Sequence, residues 1–335
     1  MRNRTIAISV FFLCLIGSII MILIFKDDYK YKNVSYLTTS YSKESTIIVN
    51  NDSFVEYPIK CVEKVYKLSV GNILADKYGN KALLLSGEEQ TAKSITLDYC
   101  NIYDIKEYNG YLFILFSYAM NKCKVVKYDL TFNKICESVD LFGVPRNIVV
   151  FNEAVFLVAN DYSNAKRRVT LTKLSTKHLE SELEVEVNSL VFAFYIEENK
   201  NDIVVIGNIS EADFSLGIVN YDEKLLKKNE MEFQTPVQWV RKVVVQDDYQ
   251  YILNDLSIVK LNSNYELVQT FNKDGFIIID MTINENYLNI LCINDNADVF
   301  IDTIELKTFS SISSQQLTIG CDNDYMVPSC ILSIL

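Results

Sequence analysis

The chain has 335 residues, with 32 Lys+Arg against 43 Asp+Glu for a net charge of −11, 49% apolar residues and a single histidine. The acidic balance argues against nucleic acid and anionic lipid headgroups as partners, because binding to phosphate is driven by Lys and Arg. One histidine excludes a multi-histidine zinc or copper centre, and the scattered glycines form no phosphate-cradling loop.

In chain order, residues 1–4 are a short tail carrying Arg2 and Arg4, and residues 5–25 read as a transmembrane helix. From Ile6 to Phe25 there is no charged side chain, and as a helix this run spans about 30 Å, the hydrocarbon thickness of a bilayer. A cleaved secretory signal has a shorter apolar region and a small-x-small site; here Ile24-Phe25-Lys26-Asp27-Asp28 follows, and the bulky Leu13 before Cys14 does not suit a lipoprotein signal. The expectation is an uncleaved signal anchor and a single-pass protein of the cell membrane, N-terminus inside and the large domain outside. Arg2 and Arg4 are balanced by Lys26, Lys30 and Lys32, so the positive-inside rule leaves a cytoplasmic domain as the alternative. Residues 26–33 are a juxtamembrane linker and residues 34–335 one folded domain.

Beyond the linker nearly every segment has strand chemistry. Leu112–Phe116, Val155–Val158, Ile203–Ile206, Tyr251–Leu253 and Leu288–Leu291 are short runs rich in β-branched and aromatic residues, too short for helices. Polar turns precede them at Tyr108-Asn109-Gly110, Asn152-Glu153, Glu198-Asn199, Asp247-Asp248 and Asn284-Glu285-Asn286; Asn-Gly is a strong two-residue hairpin signal. Further apolar strands stand before these turns, as at Ile148–Phe151 and Val243–Val245. A third strand ends at Tyr128-Asp129, and similar endings recur at Leu174-Ser175, Tyr221-Asp222, Leu261-Asn262 and Ile304-Glu305, with weaker matches at Leu85-Ser86 and Tyr41-Ser42. Their spacing of roughly 40–47 residues is that of a repeated four-stranded meander. Such a unit cannot bury both faces alone, so the units stack radially into a ring. Seven units are counted, six being the alternative. Val34–Val49 lacks preceding strands and Cys330–Leu335 is a strand with no ending after it, so the two chain ends are expected to complete one unit together.

Repeats ending in Tyr-Asp, as at Val125-Val-Lys-Tyr-Asp129 and Ile218-Val-Asn-Tyr-Asp222, resemble those of the β-propeller superfamily, its YVTN-like and quinoprotein-like members in particular. The resemblance covers residues 34–335 and implies an all-β, seven-bladed β-propeller behind one transmembrane helix. It carries no function: the Gly-His and Trp-Asp signature of WD repeats, the tryptophan-rich motifs of quinone-dependent dehydrogenases and the sialidase box are all missing.

Catalytic chemistry is sparse. His178 sits in the polar turn Ser175-Thr-Lys-His178, where exposure explains it, and no catalytic residue is assigned. Seven cysteines follow Cys14 without zinc-ligand spacing; Cys321–Cys330 is the pair to test for a bridge. Asp295/Asp298 and Asp322/Asp324 lack the spacing of a calcium loop and read as turn residues. No metal and no cofactor are expected.

One positional clue remains. Arg146-Asn-Ile-Val-Val150 aligns with Arg241-Lys-Val-Val-Val245, placing two arginines at the start of channel-lining strands of different blades. Arg146 and Arg241 suit a carboxylate or phosphate, and Trp239 adds a stacking wall; the competing reading pairs both arginines with acidic residues of neighbouring blades. The leading function is a membrane-anchored, non-enzymatic propeller that binds a protein, peptide or glycan on its loop face. The alternative is a lactonase-type hydrolase or lyase with a metal held by carboxylates in the channel.

Overall fold

The computed structural model describes residues 35–40, 45–50, 53–86, 91–163, 167–210, 212, 215–236, 240–254, 256–317 and 326–332, and all regular elements among them are β-strands. The expected transmembrane segment and linker, Trp239, Cys321, Asp322 and Asp324 lie outside the described residues. No helix among the described residues is long and apolar enough to cross a membrane.

Strands β1 (Ser35–Ser40), β2 (Ser45–Asn50) and β3 (Ser53–Tyr57) open the domain. There follow β4 (Val65–Leu68), β5 (Gly71–Ala75), β6 (Lys81–Ser86) and β7 (Thr91–Thr96), then β8 (Ile102–Tyr108), β9 (Tyr111–Ala119), β10 (Lys122–Asp129), β11 (Lys134–Glu137) and the short β12 (Leu141–Phe142). Next come β13 (Val144–Phe151), β14 (Ala154–Asp161), β15 (Arg168–Ser175) and β16 (Ser181–Glu186), and β17 (Phe192–Asn199), β18 (Asp202–Asn208), β19 (Ser215–Tyr221) and β20 (Lys227–Pro236). The last are β21 (Lys242–Gln246), β22 (Tyr249–Leu253), β23 (Ser257–Asn262) and β24 (Leu267–Asn272), then β25 (Phe276–Asn284), β26 (Tyr287–Asn294), β27 (Val299–Glu305) and β28 (Ser310–Gln316), and finally β29 (Met326–Leu332).

Six sheets are antiparallel meanders of consecutive strands, β4–β7, β8–β11, β13–β16, β17–β20, β21–β24 and β25–β28, with β12 added beside β10. A further sheet runs β29-β1-β2-β3, joining the far end of the chain to its beginning: Ser35 pairs with Leu332 and Ser40 with Met326. That is the shared unit expected from the two incomplete ends.

The recurrent endings mark the turn after the third strand of each meander, at β10–β11, β15–β16, β19–β20, β23–β24 and β27–β28. Tyr41-Ser42 is the exception. It falls between β1 and β2, in a segment outside the described residues, and the third strand of its sheet is β2, ending at Asn50. The period fails there because this sheet takes its first strand from the other end of the chain.

Turn chemistry explains the endings. Asp129 Oδ1 accepts from the backbone N–H groups of Thr131 at 2.9 Å and Asn133 at 2.8 Å, and these bonds, Asn133 foremost, hold its carboxyl down at about 2. Asp222 accepts from Lys224 and Leu226, and Asn262 from Asn264 and Glu266, in the same way. These side chains replace ladder partners for turn backbone. The Asn109-Gly110 hairpin has φ of 49° and 76°, the left-handed pair that a tight twisted hairpin requires.

Middle strands are continuous apolar runs because both faces are buried. Along β9, Leu112, Ile114 and Phe116 pack toward the preceding sheet with Ile73, Ala82 and Tyr128, while Phe113 and Leu115 pack toward the next with Val155, Leu157 and Leu174. Successive side chains point to opposite faces, so every strand of this kind contributes to two interfaces. The core is thereby divided into wedges between sheets rather than gathered in one centre.

First strands lie beside one another: β8 and β17 flank β13, and β21 runs against β25. Fourth strands such as β16 and β24 are mostly exposed. The first strand of each sheet is therefore the innermost.

Candidate binding face

The inner strands share one register. Four residues before the end of each stand Lys64, Asp104, Asn147, Tyr195, Lys242 and Asp280, counted back from Leu68, Tyr108, Phe151, Asn199, Gln246 and Asn284, the residues that close each inner hairpin. They form a polar belt around the axis. Lys64 Nζ meets Asp104 Oδ1 at 2.7 Å, and Lys242 Nζ meets Asp280 Oδ1 at 2.9 Å. Asp104 Oδ2 also accepts from the Ile148 N–H at 3.2 Å. Asn147 Oδ1 accepts from the Ile196 N–H at 2.9 Å while its Nδ2 donates to Ile196 O at 2.7 Å. Register shifts interrupt the ladders at Pro145/Ile148 and Ala193/Tyr195; there the neighbouring sheet's side chain supplies the partner that the ladder does not.

One position before the belt come Arg146 and Arg241, which do share a register as the sequence alignment proposed, on sheets separated by β17–β20. Their surroundings differ. Arg241 is exposed, and its backbone N–H bonds to Leu253 O at 2.9 Å. Arg146 is half-buried, with its guanidinium carbon 4.5 Å from the centre of the Phe192 ring and the Tyr162 side chain near enough to act on its charge. Its Nε is buried without a hydrogen-bond partner, and no carboxylate pairs with it among the described residues. Burial lowers its pKa, against an opposing pull from Tyr162 and Tyr103. The stacking wall expected from Trp239 lies outside the described residues; at Arg146 an aromatic face comes from Phe192, and among the described residues no pairing with a neighbouring acidic residue occurs there.

Tyr162 belongs to a platform built from three loops. Asn121, in the turn between β9 and β10, donates from Nδ2 to Asp161 Oδ1 at 2.7 Å; its Oδ1 accepts from the Tyr162 N–H at 3.3 Å and its backbone O from the Gly143 N–H at 2.9 Å. Asn121 adopts φ 56° to do so, a conformation asparagine tolerates. Gly143, at φ 108°, passes so close to Ala159 that a Cβ would fall 2.9 Å from the alanine's own. On loops tied in this way the structure exposes Met120 by 99%, Phe142 by 63% and Tyr162 by 40%, with Val139 at 67% beside them. Several large apolar side chains exposed on loops that are hydrogen-bonded to one another are unusual on a surface without a partner.

No protein-family model and no curated protein matches the chain. Solved structures match its fold at low identity. A putative 6-phosphogluconolactonase from Bacteroides fragilis NCTC 9343 is 12% identical with a TM-score of 0.57, the match covering 90% of this chain and 98% of that one. The computationally designed Ika8 protein is 10% identical with a TM-score of 0.55, covering 85% and 87%. The Neurospora crassa Pan2 WD40 domain is 10% identical with a TM-score of 0.53, covering 82% and 90%. With sheets packed face to face around their first strands, these likenesses decide the architecture.

The fold is a β-propeller. In propeller terms, the platform and both arginines stand at the end where second strands pass to third strands and each blade enters its inner strand. The arginines of the chain are Arg2, Arg4, Arg146, Arg167, Arg168 and Arg241. All four beyond the N-terminal tail lie at this one end, Arg167 with its guanidinium carbon 5.8 Å from the Tyr162 ring centre and Arg168 opening β15 opposite Asp161. The census of arginines was available from sequence; that Arg146 and Arg167 converge on Tyr162 was not.

The opposite end holds the propeller's most perturbed carboxyl. Glu197 on β17 is buried, accepts from Gln250 Nε2 at 2.5 Å and is pushed up to about 8 by desolvation, with Glu198 adding to the shift. Asn199 Nδ2 donates to the Tyr265 hydroxyl beside it at 2.6 Å. His178 is exposed in its turn, as expected. Asp298 donates its N–H to Asn294 Oδ1 at 2.8 Å in a turn of its own. Among the described residues no group of three or more His, Cys, Asp or Glu is placed to hold a metal ion.

Proposed function

We propose that the protein is a membrane-anchored, non-enzymatic binding propeller whose partner, a protein or peptide, docks on the end that carries Met120, Phe142, Tyr162 and Arg146. The carrying observation is the rigid apolar platform: three loops fastened through Asn121 display side chains that a solvated turn has no reason to display.

The same reading includes a ring of seven blades, in which β29-β1-β2-β3 closes the circle. The antiparallel pairing of β29 with β1, and the packing of Leu37, Ile48 and Tyr57 on Leu74, Leu83 and Leu85, support it. As a second strand, β1 begins at the hairpin end of its blade, so a helix over residues 5–25 with its short linker would hold that end toward the bilayer. The platform then points away from the membrane, on the side where a partner arrives.

The lactonase-type alternative asks for several carboxylates converging on a metal in the channel. Here Asp104 and Asp280 are each engaged by a lysine and Glu197 by Gln250, which favours the binding reading. The decisive experiment places a photo-crosslinking residue at Phe142 in the full-length protein in its membrane, with Leu267 on the outer strand β24 as control. A discrete adduct at 142 that Met120→Asp abolishes, and none at 267, is expected. Equal labelling at both positions, or none at 142, overturns the assignment of this face.

A further inference from the structure

Arg146 differs from the propeller's other inward cations in having, among the described residues, neither a carboxylate nor a backbone carbonyl as partner. Lys64, Lys242 and Lys273 each meet a buried aspartate, at 2.7, 2.9 and 2.7 Å. Lys127 and Lys260 donate to the backbone carbonyls of Thr176 and Leu306, at 2.9 and 2.8 Å. Arg146 has an aromatic face, and its Nε is buried with no acceptor. A desolvated cation without a counter-charge is unfavourable unless something recovers the cost, and a guanidinium is the cation best suited to receive a planar oxyanion through two parallel bonds.

What surrounds it gives the site shape. Phe192 lies under the guanidinium and packs tilted against Phe194, ring centres 4.9 Å apart. Tyr162 stands between Arg146 and Arg167, on the loop tied through Asn121 to those that carry Met120 and Phe142. Gly207 permits this packing, since a Cβ there would lie 2.1 Å from Phe192 O. The result is one fixed positive group at the inner edge of an apolar surface, with further arginines beside it, in a chain of net charge −11.

The geometry points to Arg146 as the receptor for a carboxylate carried by an acidic segment of a partner protein, whose neighbouring apolar side chains rest on Met120, Phe142 and Tyr162. This rests on the proposed docking face and goes beyond it by naming the chemistry that is read there. A peptide is favoured over an acidic glycan because exposed methionine and phenylalanine offer nothing to sugar hydroxyls and much to apolar side chains.

The test uses the full-length protein in detergent with poly-L-glutamate as probe, and polygalacturonate and inorganic phosphate as comparison arms. Poly-L-glutamate is expected to bind in a salt-sensitive manner, at least tenfold more weakly to Arg146→Gln and unchanged with Lys177→Gln at the opposite end. Arg146→Lys keeps the charge but loses the fork, and is expected to fall between. A purely structural arginine lowers the melting temperature of the free protein when replaced; a ligand receptor does not, so Arg146→Gln is expected to melt at or above the parent value. Equal poly-L-glutamate affinity in parent and Arg146→Gln overturns the inference while leaving the crosslinking at Phe142 standing. Saturation by polygalacturonate or phosphate without poly-L-glutamate binding overturns the peptide assignment. If Arg146→Gln melts well below the parent, Arg146 is structural and the inference falls.

Discussion

Asn147 holds both backbone groups of Ile196 in the next blade, donating to its carbonyl at 2.7 Å and accepting from its N–H at 2.9 Å. Asn160 does the same for Ala193, at 2.9 and 2.8 Å. Two asparagines, one on β13 and one on β14, thus stitch their blade to the inner strand β17 of the next, where its ladder is interrupted. Asn147→Leu strands a buried donor and a buried acceptor, each costing about 1–3 kcal/mol. Chemical denaturation is expected to show a loss of about 2–4 kcal/mol, with a further loss in the Asn147→Leu/Asn160→Leu double variant; stability within 0.5 kcal/mol of the parent, about the usual range of a surface substitution, would refute the stitch.

Glu197 makes stability depend on pH. Its folded pKa of about 8 lies above the ordinary carboxyl value, so between the two the folded state holds a proton that the unfolded state has released. Stability is greatest below the ordinary value, falls as pH rises toward 8, by at most about 1.4 kcal/mol per pH unit, and levels off above. Glu197→Gln keeps the acceptor for Gln250 and removes the titration. It should be more stable than the parent at pH 8 and converge with it near pH 5; a difference independent of pH would show that Glu197 does not titrate in this window.

Gly207 tests the ground under Phe192. Gly207→Ala brings a methyl group against Phe192 O and the Leu190 side chain, at 2.1 and 2.9 Å in the unrelaxed backbone, so β17 must shift. Overpacking of this kind costs about 1–3 kcal/mol, and it should also weaken poly-L-glutamate binding because Arg146 stacks on the displaced ring. Gly110→Ala, in open space at φ 76°, is the comparison: it should cost about 1 kcal/mol through backbone strain and leave binding unchanged.

Ring closure depends on β29. Deleting residues 326–335 frees the edge of β1 and uncovers β25, which β29 lies against. An unpaired edge recruits other chains, so the truncated protein should melt well below the parent and self-associate in sedimentation, and a peptide of residues 326–335 should reverse both. An unchanged melting temperature would mean that the blades stack without closing.

Much of the scaffold was legible in the chain because it is written in local chemistry. Strands such as β9 and β18 follow from runs of β-branched and aromatic residues, hairpins from Asn109-Gly110 and its counterparts, and the repeat from aspartates and asparagines that cap their own turns. Even the joining of the two ends was readable, since neither had enough strands alone. The marker at Tyr41-Ser42 failed for the same reason, because a blade assembled from both ends does not keep the period.

The sequence by itself determined that the domain is built from repeated four-stranded units and that Arg146 and Arg241 hold equivalent positions. Only the tertiary structure decided that Arg146 is half-buried while Arg241 is exposed, that among the described residues no carboxylate pairs with it, and that the loop of Tyr162 is tied through Asn121 to those of Met120 and Phe142. The physical reason is distance along the chain. The bonds that make the face, Asn121 to Asp161 and Asn147 to Ile196, join residues 40 and 49 positions apart, one repeat away, where a strand pattern records that a neighbour exists but not which of its side chains arrives.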